Sequence, residues 1–177
     1  MAVHSGVETS RLQGEALCRS VSPPAPVNLV LDAPWGYALV TLRAVPRPLL
    51  VVTENPSVHY LRDVLDLKPE GLIAASVSPE EVGQALVRVA KGESLYMGPR
   101  LGEDSICPRE REVLRLVALG LGNREIAKKL GVCERTVANS ISSLRDKLGL
   151  KNRVEVALYY LGILPSLRGH EEFTDLE

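Results

Sequence analysis

The sequence predicts an α/β domain built on a shortened parallel sheet, followed by an all-α domain of four helices. Three observations carry this expectation. Short runs of aliphatic and β-branched residues, VNLVLD at 27–32, LLVVT at 49–53 and GLIAAS at 71–76, alternate with helical patterns, as buried parallel strands do when helices cover both faces. The segment GESLYMGPRLGED at 92–104 mixes glycines and a proline with charges and holds no periodicity, so it reads as a linker. Beyond it no strand signal remains. The expected organisation is an α/β domain over residues 1–91, a linker over 92–106, a helical domain over 107–165 and an acidic tail over 166–177.

In the first domain the spacing predicts helices over 34–44, 57–66 and 79–91. In the second, Pro108 follows Cys107 at a first helical position, with Glu110 and Glu112 in the first turn, where the helix dipole favours acids. That helix runs to Leu119, with Val113, Leu114, Leu116 and Val117 as its buried stripe, and Gly120 and Gly122 end it. Three more are expected over Arg124–Leu130, Glu134–Leu148 and Arg153–Leu161.

Composition and charge narrow the function. With 45% hydrophobic and 24% charged residues in 177, the chain is globular rather than disordered or fibrous. Its longest uncharged stretches, Ser20–Leu31 and Val156–Leu167, reach 12 residues each, short of the ~20 apolar residues that cross a bilayer. The start, MAVHSGVETSR, has no basic region leading into an apolar run, so no secretory signal is expected. Cysteines at 18, 107 and 133 form neither a disulfide framework nor a zinc motif, and the cytoplasm is the expected compartment. His4, His59 and His170 lack ligand spacing; no metal or cofactor is expected. Charge is uneven: residues 1–105 carry 9 Lys/Arg against 12 Asp/Glu, residues 106–167 carry 11 against 6, and the last ten carry 1 against 4. The basic third is where a nucleic-acid partner is expected.

Within it the spacing is specific. Counting Asn123 as the first position, small Ala127 falls at the fifth, Gly131 at the ninth and Val137 at the fifteenth. Ala127 lets two helices approach, Gly131 suits a turn with φ > 0, and Val137 fills the space between them. This is the pattern of a helix-turn-helix, whose second helix enters the DNA major groove. Arg124, Lys128, Lys129, Arg135, Arg145, Lys147, Lys151 and Arg153 lie on and around the two helices.

Residues 106–164, with PREREVL, GLGNREIAKKL, the Thr136–Val137 pair, KL and NRVE, resemble the four-helix DNA-binding domain of the LuxR/NarL family of bacterial transcription regulators. The resemblance implies that helix 134–148 reads DNA. It also implies that the last helix packs on helix 134–148 and forms a dimer seam, which makes a homodimer the expected state. Where the family usually carries a lysine and a histidine after the Thr–Val pair, this chain has Ala138 and Ser140. The side chains left to meet bases are Arg135, Asn139 and Ser142: Asn139 suits adenine, and Arg135 suits guanine or a phosphate. Ser142 and Ser143 are expected to donate to phosphates, and Arg124, Lys128, Thr136, Lys147, Lys151 and Arg153 complete the expected DNA surface. The other reading takes Asn139 and the serines as solvated residues. Val156 and Tyr160, i and i+4 on the last helix, serve either a dimer contact or the core. Cys107 and Cys133 stand at helix caps, where oxidation would disturb the recognition helix.

Residues 27–91 resemble the second half of a response-regulator receiver. Asp32 takes the phosphoacceptor position and Thr53 the position of that family's Thr/Ser. The activation chemistry is incomplete: phosphoryl transfer to aspartate uses Mg²⁺ held by further carboxylates, and the first dozen residues offer only Glu8, while the family's lysine is Ala75. Only 26 residues precede VNLVLD, and the register that spares the central strand makes MAVHS a strand and residues 7–21 a helix. Asp32 is thus expected to be a free surface or strand-end carboxylate that is not phosphorylated.

The expected function is a phosphorylation-independent, non-enzymatic DNA-binding regulator acting as a dimer, with RNA polymerase or a regulatory protein as a further partner. The rivals are a conventional phosphorelay acceptor using Asp32, a protein-interaction module, and a sigma-factor-like protein. The tail EEFTDLE is either disordered or a shield for the basic domain.

Overall fold

The computed structural model describes residues 26–33, 36–102 and 105–164. Four strands, β1 (Asn28–Leu31), β2 (Leu49–Thr53), β3 (Gly71–Ala74) and β4 (Leu95–Met97), form one sheet in the order β1-β2-β3-β4, every pair parallel. Three helices alternate with them: α1 (Tyr37–Thr41), α2 (Val58–Asp66) and α3 (Pro79–Ala90). The α/β expectation holds. The expected strand at MAVHS and helix at 7–21 lie outside the described residues, as do Cys18, His4, His170 and the acidic tail.

The sheet is covered on both faces, and the alternation of β2 records it. Leu49 and Val51 join the core beneath α1 and α2 with Val30, Tyr60, Leu61, Val64 and Leu72, whereas Leu50 packs with Ile73, Ala85 and Val89 of the α3 side. A strand buried on both faces must be apolar throughout. Helix α3 starts on a complete capping box: Ser78 accepts from the Glu81 N–H, and Glu81 accepts from the Ser78 N–H at 2.8 Å. The linker expectation is corrected at one place. Leu95–Met97 pairs with Gly71–Ile73, because an edge strand needs only one partner and three residues satisfy it. Arg62 then donates to the carbonyls of Leu101 and Gly102, holding the chain against α2 as it leaves the sheet.

The rest is helical: α4 (Pro108–Ala118), α5 (Asn123–Leu130), α6 (Glu134–Leu148) and α7 (Arg153–Tyr160). Their starts and stops obey local chemistry. Glu110 and Glu125 reach back to the N–H groups of Cys107 and Gly122 at 2.9 and 2.8 Å, Asn152 accepts from Glu155 N–H at 2.9 Å, and Gly131 and Gly149 close α5 and α6 at φ 66° and 65°, the left-handed stop that glycine adopts freely. One apolar cluster runs from Val30, Tyr60 and Val64 through Val113, Leu114 and Val117 to Val156 and Tyr160. The two differently patterned regions therefore share a core.

Candidate nucleic-acid interface

Helices α5 and α6 form the hairpin that the spacing implies. Ala127 and Val137 are buried between them and Gly131 makes the turn, while Val132 N–H returns to the Ala127 carbonyl at 3.0 Å. Val137, Ile141 and Leu144 hold α6 against the core. Geometry then fixes what α6 shows: Arg135, Ala138, Asn139 and Ser142 are exposed and, at steps of three and four residues, lie along one face. Arg124, Lys128 and Lys129 on α5, the helix paired with α6, and Lys151 beyond the end of α6 are exposed as well. Among the described residues, none of these cations or Arg135 forms an ion pair. Unpaired cations around an exposed helix face make a surface suited to phosphate.

Other expected contacts are occupied internally. Lys147 donates to both carboxylate oxygens of Glu110 at 2.8 Å, and Ser143 Oγ donates to Glu110 Oε1 at 2.8 Å. Burial alone would raise the Glu110 carboxyl, but Lys147, Cys107 N–H and Ser143 outweigh it and hold its pKa at about 2. The clamp joins the first turn of α4 to the second half of α6. Arg153 donates to Asn123 Oδ1 at 2.8 Å and to the Leu121 carbonyl, tying α7 to the start of α5. Ser143, Lys147 and Arg153, expected at DNA, each donate to partners within the chain. Thr136 Oγ1 lies 3.1 Å from Cys133 Sγ at the cap of α6, and Ser140 Oγ donates back to the Thr136 carbonyl at 3.0 Å. The Thr136 contact lowers the exposed Cys133 thiol below its ordinary range.

Of the two readings of Val156 and Tyr160, the structure has the second: they are 0% and 1% exposed, packed inside the chain. Tyr160 stacks edge-on against Tyr60 at 5.6 Å and donates to Asp63 Oδ2 at 2.5 Å. Asp63 also meets Arg111 at 3.3 Å and Arg115 at 3.8 Å, and Arg111 reaches Asp66 at 2.6 Å. Sequence reading missed this group. The i, i+4 pair Arg111 and Arg115 on one helix was its signal.

Asp32 needs a correction too. It is not a free carboxylate but 3% exposed, and it accepts three bonds: Ala38 N–H at 2.9 Å, Thr53 Oγ1 at 2.8 Å and Tyr60 OH at 2.5 Å. Thr53 stands where the receiver resemblance puts it, and Tyr60 was unforeseen. These surroundings do not fit a divalent cation, which needs oxygen lone pairs rather than hydrogens aimed at the carboxylate. Among the described residues no group of three or more His, Cys, Asp or Glu converges, and no helix is long and apolar enough to cross a membrane.

Residues 104–160 match the family of bacterial regulatory proteins, luxR family. The nitrate/nitrite response regulator protein NarL of Escherichia coli K12 is 30% identical over 168 residues, a span of 83% of this chain and 77% of NarL. The chain belongs to the LuxR/NarL family of response regulators. Within the family, the transcriptional regulatory protein RcsB of E. coli K12 is 32% identical over 123 residues, 63% of this chain and 56% of RcsB. A structure of RcsB from Salmonella enterica serovar Typhimurium bound to promoter rprA, in the presence of phosphomimetic BeF3−, aligns with 76% of this chain and 74% of that one at 27% identity and a TM-score of 0.49. In this LuxR/NarL chain the luxR-family match covers α4 to α7, the helices that build the exposed face of α6.

Proposed function

We propose that this chain is a transcription regulator that binds double-stranded DNA as a homodimer, with α6 in the major groove, and that it works without phosphorylation of Asp32. One observation carries the reading: the exposed Arg135–Asn139–Ser142 face of α6, flanked by Arg124, Lys128, Lys129 and Lys151, none of them spent on a carboxylate. Asn139 matches the paired donor and acceptor of adenine, and Arg135 reads guanine or anchors to phosphate. Two such helices in a dimer meet half-sites about one helical turn apart. With Val156 and Tyr160 inside the chain, dimerisation uses another surface. Family membership supports a non-enzymatic regulator working in the cytoplasm, with RNA polymerase or a regulatory protein as a further partner. What supports independence from phosphorylation is the Asp32 carboxylate itself, buried and committed to three donors.

Selection of bound duplexes from a random library tests the first claim. A two-fold symmetric motif, bound more tightly than scrambled DNA from low to moderate salt, is the expected result. Affinity that collapses with salt and yields no motif would overturn direct reading by α6. For the second claim, treatment with acetyl phosphate and Mg²⁺ should leave no acid-labile phosphate on Asp32 and no change in operator affinity. Stoichiometric labelling would restore the phosphorelay reading.

A further inference from the structure

We propose that Asp32 and Tyr60 are positioning residues that weld the DNA-binding helices to the sheet domain, so that the carboxylate at the phosphoacceptor position serves as a mechanical anchor. The parts form one buried chain. Thr53 Oγ1 and Tyr60 OH both donate to Asp32 Oδ2, which fixes the buried Tyr60 ring on one face of α2. Tyr60 and Asp63 are i and i+3 and share that face. Between them they hold Tyr160 of α7, its ring edge-on to Tyr60 at 5.6 Å and its hydroxyl on Asp63. Asn55 Nδ2 donates to the Tyr160 carbonyl at 3.3 Å, and Arg111 and Arg115 of α4 close on Asp63 from the other side. Burial raises both tyrosine hydroxyls well above their ordinary range, so both stay protonated and donate.

Covalently linked domains move relative to one another unless the interface is large and apolar. Here the interface is apolar and also carries charge. A buried polar network that is fully satisfied rigidifies, and one that loses a member leaves costly orphans. Undocking would expose Asp63, Arg111 and Arg115 together and uncover Tyr160. Docking is therefore all or none, and Asp32 controls it at a distance by fixing Tyr60. Replacing Asp32 with asparagine puts an N–H₂ where either Ala38 N–H or the two hydroxyls donate, and Tyr60→Phe removes one hydroxyl and nothing else.

The test uses the full chain, with Cys18→Ser and Cys107→Ser, and spin labels on the native exposed Cys133 and on exposed Gln84→Cys. These sites report the distance between α6 and α3 without any DNA, so the outcome is independent of the function proposed above. The otherwise unchanged protein should give one narrow distance distribution. Tyr60→Phe and Tyr160→Phe should each add a broad second population, raising the ratio of undocked to docked molecules about tenfold, the scale of one hydrogen bond to a charged group. Asp32→Asn should do the same. A single unchanged distance in both tyrosine variants would overturn the weld. So would a broad distribution in the parent protein. Broadening by Tyr160→Phe but not by Tyr60→Phe or Asp32→Asn would confine the contact to Asp63 and remove Asp32 from it. Circular dichroism on each variant separates undocking from unfolding, and Tyr60→Phe keeps the test decisive if Asp32→Asn fails to fold.

Discussion

The clamp between Glu110 and the second half of α6 gives a prediction with a calculable size. Glu110 is 9% exposed and meets Lys147, Ser143 and Cys107 N–H. Its carboxyl sits at about 2 in the fold against an ordinary 4.5. At about 1.4 kcal/mol per pH unit this corresponds to roughly 3 kcal/mol of folding stability near neutrality. Lys147 is 43% exposed, and solvent screening brings the figure to about 2–3 kcal/mol. A depressed carboxyl contributes its full stability above the unfolded value and loses it as pH falls from about 4.5 towards about 2. Glu110→Gln mimics the protonated acid. Urea unfolding at pH 7, 5, 4 and 3 should show the variant about 2–3 kcal/mol less stable at pH 7, with the gap more than halved at pH 3. An equal gap at pH 7 and pH 3, or one below about 0.5 kcal/mol at pH 7, would refute the reasoning. Lys147 serves the same clamp. Lys147→Met should weaken DNA binding through misplacement of α6 and leave the salt slope unchanged, whereas loss of a phosphate contact lowers that slope by about 0.9.

Three further outcomes are expected. Lys128→Ala should weaken binding to every duplex alike and flatten the salt dependence by about 0.9, while Asn139→Ala should narrow the gap between selected and random DNA by about 1–3 kcal/mol; uniform losses for both would remove the base-reading role from Asn139. Gly162, at φ 75°, has room for no side chain, since a Cβ there would lie 2.4 Å from Asn55 Oδ1; Gly162→Ala should cost at least about 2 kcal/mol in thermal unfolding. Iodoacetamide should modify Cys133 faster in the parent chain than in Thr136→Val, because the Thr136 contact lowers the thiol; equal rates would assign that contact no effect.

What could be read from the sequence was local. The start of α4 at Pro108 with Glu110 in its first turn, the glycine turn at 131 and the spacing from Asn123 to Val137 each depend on residues close together in the chain, and the structure reproduces them. β4 escaped because three residues between Ser94 and Gly98 carry no alternation to detect. The side chains whose internal partners were not foreseen share a cause. Lys147 meets an acid 37 positions away, Arg153 an amide 30 away and Asp32 a phenol 28 away, and a basic residue bound for an internal carboxylate has the same sequence signature as one bound for phosphate. Asp32 and Thr53 kept the positions implied by the receiver resemblance, but the chemistry around them depends on Tyr60, which no short pattern links to either.

The common core bears on how this regulator can be dissected. Cutting the chain after β4 would free α4 to α7 as a fragment bearing the whole luxR-family segment, yet would strip Tyr160 and Arg111 of the surface that α2 provides. Such a fragment would present a bare aromatic ring beside two orphaned guanidinium groups. It would be drawn to acidic and apolar surfaces in ways the intact chain is not. Affinities measured on it for polyanions or partner proteins would then report the wound as well as the binding face.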